Sequence, residues 1–136
     1  MSYLKGLADK VNGLDNSFTK ELYLKELIPN ENNFYGIREI DELAESISEN
    51  GLMHNLVVRE KDDGSYEIIS GERRYRALLK LGYDKVPCNI KKNISDLDAE
   101  VMLIQANVES RELTASEKMQ GISRLKAIYE KKKSLG

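Results

Sequence analysis

The sequence has one cysteine, one histidine and no excess of basic charge. Cys88 alone cannot form a disulfide within the chain and cannot supply a zinc site built on cysteine pairs, which is typical of a protein of the reducing cytoplasm. His54 alone excludes a multi-histidine metal site. The 21 Lys and Arg against 23 Asp and Glu leave a formal net charge of -2, so bulk positive charge does not hold nucleic acid here. Any site for a polyanion must be local.

Long apolar runs are also missing. No stretch approaches the roughly 18 apolar residues that a membrane span needs, and residues 1–10 lack the apolar core of a signal peptide. The 136 residues, 40% of them hydrophobic, are enough for one globular core. We therefore expect a cytoplasmic protein with no membrane partner.

The first half of the chain predicts alternating strands and helices. Residues 1–20 are polar and predict a flexible leader, and residues 21–28 predict a short edge strand that ends before Pro29. From Ile40 to Gly51 the apolar residues fall at i, i+3, i+4 and i+7, which predicts an amphipathic helix. The Asp63-Gly64 pair between two β-rich runs predicts a hairpin.

The second half is predicted to be mainly helical. A helix over residues 72–81 and a strand over residues 86–90 come first, and Ser95 can cap the next helix. The acidic residues at the start of that helix, Asp96, Asp98 and Glu100, are interpreted as complementing the helix dipole. The spacing of Thr114 and Glu117 predicts a capping box for a last helix, with apolar residues at Met119, Ile122, Leu125, Ile128 and Tyr129.

These elements predict three parts of the chain. Residues 1–20 form the leader, residues 21–94 a compact core and residues 95–136 a helical extension. The predicted class is α+β, with a small mixed β-sheet, flanking helices and a mainly helical carboxy-terminal segment.

The segment Ser70 to Ala77 is best suited to bind an anion. Gly71 at a strand-to-helix junction lets the backbone approach a ligand, and the helix start presents free amides. Arg73 and Arg74 would donate to phosphate oxygens, and Glu72 would neutralise an arginine or hold a metal ion that bridges phosphates. The alternative is that these arginines only solvate an exposed helix face.

Residues 71–77, Gly-Glu-Arg-Arg-Tyr-Arg-Ala, resemble the central motif of the ParB family of chromosome and plasmid partition proteins. The resemblance extends, in order, over about residues 21–130. Residues 27–47 resemble the opening strand, loop and first helix of the family. Residues 51–59 stand where the family has its first nucleotide-binding motif, and residues 107–117 resemble its third.

The resemblance implies a ParB/sulfiredoxin-like fold and a nucleotide-dependent function. Members of the family bind and slowly hydrolyse CTP with magnesium. CTP and a centromere-like DNA site drive their self-association into a clamp that slides along DNA and works with a ParA ATPase. We therefore expect CTP with Mg²⁺ as ligand and DNA, a ParA-like ATPase and a second copy of the chain as partners. The replicon could be a chromosome, a plasmid or a mobile element.

The family motifs also imply site residues. Nucleotide contacts are implied for Gly51, His54, Asn55, Gly71, Glu72, Arg73, Arg74 and Asn107. Glu72 and Asn107 would hold magnesium. Weaker candidates for contact with DNA are Arg76, Lys131, Lys132 and Lys133. Specific DNA recognition is expected from a helix-turn-helix domain outside this chain.

The chain departs from the family pattern at two motifs. His54-Asn55 stands where the family often has Gln-Pro, which leaves the nucleotide base open. The usual Glu-Asn-x-Gln-Arg of the third motif reads Ala106-Asn107-Val108-Glu109-Ser110. Since the acid that would help to coordinate magnesium is Ala106, we expect weak CTP hydrolysis at most.

Two other functions remain open. The first is a DNA- or partner-binding module that works without nucleotide. The second is a ParB-like nuclease or phosphotransferase, with Glu72 and Asn107 holding a metal ion. Cys88 lies among apolar neighbours and predicts a buried, inert thiol, and the Gly-Gly-Cys-His-Arg type motif of sulfiredoxin is missing.

Overall fold

The computed structural model describes residues 18–35, 39–110 and 113–135. Within these residues, five strands and four α-helices are found. The strands are β1 (Phe18–Tyr23), β2 (Leu27–Pro29), β3 (Leu56–Glu60), β4 (Tyr66–Ser70) and β5 (Lys85–Lys91). The helices are α1 (Ile40–Asn50), α2 (Glu72–Leu81), α3 (Asp96–Ser110) and α4 (Ala115–Leu135), with a 3-10 turn at Leu24–Glu26.

The strands form one mixed sheet in the order β1-β5-β3-β4-β2. β1 pairs with β5 and β3 with β4 in antiparallel fashion, whereas β3 pairs with β5 and β2 with β4 in parallel. The predicted hairpin is confirmed: the Lys61 amide donates to the Ser65 carbonyl at 2.8 Å, and the Gly64 amide to the Lys61 carbonyl at 2.9 Å. The predicted α+β class with a helical carboxy-terminal segment is confirmed.

The prediction of a single edge strand over residues 21–28 is wrong. The chain forms β1 at one edge of the sheet and β2 at the other. Leu24 is buried in the turn between them, and its amide donates to the carbonyl of Asp84 at 2.9 Å. Residues 18–20, which the sequence assigned to the leader, belong to β1; residues 1–17 lie outside the described part.

One face of the sheet packs against α1 and α2. Alternate residues of β5, namely Val86, Cys88 and Ile90, are buried on this face. They join Ala44 and Ile47 of α1 and Ala77 and Leu78 of α2 in one cluster. This cluster fixes α2 at the end of β4, where the candidate site begins.

A second cluster lies between α3 and α4. Its buried members are Tyr35, Val101, Leu103, Ile104 and Ile128. The predicted apolar face of α4 is only partly covered, since Met119, Ile122 and Tyr129 are exposed, as is Val108 of α3. None of the described helices is both long and apolar enough to cross a membrane.

The predicted caps of α3 and α4 are confirmed. The Asp98 amide donates to the Ser95 hydroxyl at 3.1 Å. The Glu117 amide donates to Thr114 Oγ1 at 3.1 Å, and the Thr114 amide donates to Glu117 Oε1 at 2.9 Å. This reciprocal pair is a capping box.

The acids of α3 do more than complement the helix dipole. Asp96 accepts from Arg59 of β3 at 2.6 Å. Two further acids of α3 form ion pairs with α4. These pairs are Asp98 with Lys132 and Glu100 with Arg124. Because Asp98 and Glu100 are buried, their carboxylates need partners that offset the cost of burying a charge. The local sequence did not indicate these partners, since Arg124 and Lys132 lie far along the chain.

Candidate nucleotide-binding cleft

The site is built around Gly71, which joins β4 to α2. Its φ is 104°, a left-handed conformation, and a Cβ placed there would lie 2.5 Å from Leu56 Cδ2. Only glycine therefore lets β4 pass so tightly into α2. No side chain of the described residues caps α2. The first amides of α2 are thus available to an anion.

A cleft of about 380 Å³ opens at this helix start. Six residues implied by the sequence line it: His54, Gly71, Glu72, Arg73, Arg74 and Asn107. Ala106 lines it as well, so the departure in the third motif lies inside the cleft. The fold brings residues from three motifs, far apart in sequence, to one place.

The other residues that the sequence implied as contacts for nucleotide or DNA do not line this cleft. The Asn55 side chain donates to Asn89 Oδ1 at 3.2 Å, and Gly51 ends α1 with a positive φ of 77°. Arg76 is exposed and lies 3.6 Å from Glu72 Oε2. Lys131 to Lys133 belong to the last turns of α4, where Lys132 pairs with Asp98.

Arg74 ties α2 to the turn before β3. Its Nη1 donates to the carbonyl oxygens of His54 at 2.9 Å and Asn55 at 2.8 Å. Burial lowers the pKa of this guanidinium, because desolvation disfavours a cation. Arg74 thus holds the turn that carries His54 against the cleft and leaves a desolvated positive charge beside it.

Glu72 and Arg73 also have partners. Glu72 Oε1 accepts from Asn33 Nδ2 at 3.0 Å, so a loop side chain orients this carboxylate. Arg73 Nη2 lies 3.5 Å from Glu39 Oε2, and the Glu39 side chain is largely exposed. Because the Glu39 side chain is largely exposed, this ion pair contributes little to stability.

Glu72 and Asn107 carry oxygen atoms that could ligate a magnesium ion together with phosphate. Asn107 Nδ2 donates to the Leu103 carbonyl at 2.9 Å, which leaves its amide oxygen as the acceptor. No group of three or more His, Cys, Asp or Glu suited to a metal occurs in the described residues. Magnesium in nucleotide sites is commonly held by one or two protein ligands together with phosphates and waters. The donor set fits that arrangement and not a cage made only of protein ligands.

Sequence reasoning missed Asn33 and Tyr35, which also line the cleft. No motif of the sequence marks these two residues. Their role depends on the contact of the loop with α2 and α4, which is a tertiary feature.

Cys88 is buried on the core face of β5, as predicted, and lies outside the cleft. Burial raises the pKa of its thiol to about 11. At neutral pH the thiol is therefore protonated and a poor nucleophile.

Residues 9–108 match the model of the ParB N-terminal domain family. A nucleoid occlusion protein of Bacillus cytotoxicus is 41% identical over 100 residues, which are 71% of this chain and 34% of the relative. A nucleoid occlusion protein of Bacillus cereus is 49% identical over 78 residues, 57% of this chain and 27% of the relative. The chain thus spans 27% to 34% of the length of these relatives.

Solved structures show the same likeness. The C-terminally truncated partitioning protein ParB of Caulobacter crescentus complexed with CTP-gamma-S has a TM-score of 0.60 and 29% identity, covering 83% of this chain and 65% of that one. The same protein complexed to the centromeric parS site has a TM-score of 0.65 and 26% identity, covering 82% and 58%. A pNOB8-like ParB N-domain is 17% identical with a TM-score of 0.68, covering 88% and 46%, and shows the fold alone. The match of the family model over most of the chain, together with these relatives, shows that the chain belongs to the ParB N-terminal domain family.

Proposed function

We propose that this domain binds CTP as a switch for self-association on DNA, within a ParB-like partition or nucleoid occlusion protein. The observation that carries the proposal is the cleft at the start of α2. It combines the uncapped helix start after Gly71 with the guanidinium groups of Arg73 and Arg74. Helix amides and arginines together favour phosphate groups.

We propose CTP rather than another nucleotide because a 29% identical ParB was solved with CTP-gamma-S. In this chain the turn before β3 would lie against the nucleotide, with His54 lining the cleft and the neighbouring carbonyls held by Arg74. Carbonyls fixed in this way could accept from an amino group of a base.

Magnesium would be held by Glu72 and Asn107 together with the nucleotide. When bound, it would neutralise charge on the phosphates. Ala106 lines the same cleft and offers no carboxylate, so we expect only slow hydrolysis. Glu72 would be kept in place by Asn33.

Contacts with partners are proposed for the whole protein. Sequence-specific DNA binding would reside in a separate helix-turn-helix domain. A 26% identical relative was solved complexed to the centromeric parS site, which supports DNA as a partner of the whole protein. Arg76 and Lys131 to Lys133 would add contacts to DNA phosphates, and a ParA-like ATPase and a second copy of the chain would be partners. We also propose that the core ends and the helical extension begins at residue 94, and that the protein is located in the cytoplasm.

Titration of the domain with CTP, ATP, GTP and UTP, with and without magnesium, tests the nucleotide switch. We expect calorimetric heat and a raised melting temperature with CTP and magnesium. Arg73→Gln should weaken CTP binding by roughly tenfold, since a charge-assisted hydrogen bond is lost. Lys80→Gln removes a charge from the same helix, where Lys80 pairs with Asp41 outside the cleft, and should leave the affinity unchanged. If none of the four nucleotides gives heat or a thermal shift, the proposal is wrong.

A second candidate function is a module that binds DNA or a partner without nucleotide. Ala106 in the cleft and the engagement of Arg74 by two carbonyls favour it. In that case Arg73→Gln would weaken DNA binding equally in the presence and absence of CTP. A loss seen only with CTP would instead support the switch.

A further inference from the structure

Two asparagines, Asn30 and Asn33, shape the loop that follows β2, and their side chains make the same local contact. The Oδ1 atom of Asn30 accepts from the backbone amide of Asn32 at 2.7 Å, and that of Asn33 accepts from the backbone amide of Tyr35 at 3.1 Å. The backbone amide of Asn33 also donates to the Asn30 carbonyl at 3.1 Å. These local bonds fix the direction in which each asparagine points its Nδ2 group.

The Nδ2 group of Asn30 binds to the sheet. It donates to Glu67 Oε1 of β4 at 3.0 Å, and the same oxygen accepts from Arg59 Nε at 2.8 Å. All three side chains belong to buried residues. Because a buried acceptor that loses a donor is costly, Glu67 holds Asn30 in place. The start of the loop is therefore fixed to the interior of the sheet.

The Nδ2 group of Asn33 points to the cleft instead. It donates to Glu72 Oε1 at 3.0 Å. The other oxygen of this carboxylate, Oε2, lies 3.6 Å from Nη2 of Arg76, whose side chain is 45% exposed and can turn into the solvent. Oε2 is thus the oxygen of Glu72 that remains for a cation.

We propose that Asn30 is a positioning residue for Glu72 and acts through Asn33. The buried pair of Arg59 and Glu67 in the sheet then sets the place of the carboxylate that binds a divalent cation. Neither Asn30 nor Glu67 lines the cleft. A hydrogen bond that orients a ligating carboxylate in advance strengthens its hold on a metal ion. The identity of the cation and of the nucleotide rests on the proposed function, whereas the hydrogen bonds do not.

The first experiment needs no nucleotide and follows the side-chain amide of Asn33 by ¹⁵N NMR. Asn30→Ser keeps a hydroxyl that can accept from the Asn32 amide but is too short to reach Glu67. We expect the Asn33 side-chain amide to exchange with water roughly two- to tenfold faster in this variant, as the loss of a hydrogen bond implies. Asn32→Ser changes the exposed side chain of the same turn and serves as the matched control. Equal exchange rates in the two variants would overturn the proposal.

The second experiment measures the affinity for CTP as a function of the magnesium concentration. The magnesium concentration at half-maximal binding should rise by roughly tenfold in Asn33→Ser and by roughly two- to tenfold in Asn30→Ser. The double variant should need no more magnesium than Asn33→Ser, because the two side chains act in series. Affinity measured in EDTA should stay the same in all of them. A loss that is equal with magnesium and in EDTA would mean a merely structural role and would overturn the proposal.

Glu67→Gln separates positioning from stability. Glutamine keeps an oxygen that can accept from Asn30 but removes the negative charge that Arg59 faces. We expect a lower urea midpoint of unfolding and an unchanged magnesium requirement. If Glu67→Gln raises the magnesium requirement as much as Asn30→Ser does, the requirement follows stability and the positioning role is wrong.

These experiments separate the positioning role from the proposed function. If no nucleotide binds and Asn30→Ser still speeds exchange of the Asn33 side-chain amide, the proposed ligand is wrong and the path from Glu67 to Glu72 stands. If CTP binds and Asn30→Ser leaves the magnesium requirement unchanged, the positioning role is wrong and the nucleotide site stands.

Discussion

At the scale of single residues, Gly71 joins the sequence motif to the geometry of the cleft. The motif indicated a glycine at a strand-to-helix junction, and the structure has φ 104° there. The reason for the strict requirement is the nearby Leu56 side chain, which lies far away in the sequence. Local pattern thus predicted the residue, and packing explains why no other residue fits.

Gly71→Ala should destabilise the domain by about 1–3 kcal/mol, because an overpacked Cβ adds to the strain of a positive φ. Gly64→Ala is the matched control: its φ is 86°, and a Cβ there meets nothing within 4 Å. Urea unfolding of both variants measures the difference. An equal loss for the two would mean that the contact with Leu56 plays no part.

Arg74 shows where residue-scale reasoning was incomplete. The sequence implied only that its guanidinium would hold phosphate and did not indicate that Nη1 of the same group donates to the carbonyls of His54 and Asn55. Motif spacing does not reveal this, because the turn before β3 meets α2 only in the folded chain.

At the scale of elements, α4 is attached to α3 by apolar contacts and by ion pairs. Ile128 is buried, but Met119, Ile122 and Tyr129 of the same helix are exposed. The periodicity predicted a helix correctly and could not predict how much of its face is covered. The pairs Asp98–Lys132 and Glu100–Arg124 supply part of the attachment.

Lys132→Met should destabilise the docking of α4, because it leaves the buried Asp98 carboxylate without this ammonium partner. The expected cost is roughly 1–3 kcal/mol, as for a hydrogen bond to a charged group. Lys131→Met removes an exposed lysine from the preceding position and serves as the control. Urea unfolding and hydrogen exchange of α4 measure both. If the two variants behave alike, the pair with Asp98 contributes nothing.

At the scale of the whole molecule, Arg59 joins the sheet to the start of α3. It is buried, donates to Glu67 of β4 at 2.8 Å and to Asp96 at 2.6 Å, and also donates to the Ile94 carbonyl at 3.0 Å. Glu67 in turn accepts from Asn30 Nδ2 at 3.0 Å. The network connects the sheet core to the helical layer that carries Ala106 and Asn107 to the cleft.

This connection should weaken in acid. The hydrogen bond from Arg59 lowers the pKa of the Asp96 carboxyl below its usual value. The Arg59–Asp96 interaction therefore stabilises the fold above about pH 4, and this stabilisation is lost as the pH falls through the folded-state pKa of Asp96. Asp96 is 87% exposed, so the effect should be at most about 1 kcal/mol. At pH 7 the urea midpoint of unfolding should be higher for the unchanged domain than for Asp96→Asn. This gap between the two midpoints should close as the pH is lowered to 3. The exposed turn variant Asp62→Asn should show no such gap, and a gap constant with pH would contradict the role of Asp96.

The sequence by itself determined most helices, the hairpin, the caps of α3 and α4 and the motif at Gly71, because these depend on apolar periodicity, turn residues and local hydrogen bonds. Only the tertiary structure decided that residues 18–29 form two edge strands, that Arg74 holds a distant turn and that Asn33 and Tyr35 line the cleft. Those features arise from contacts between residues far apart in the chain, and no local pattern encodes which distant group a buried charge or a crowded glycine will meet.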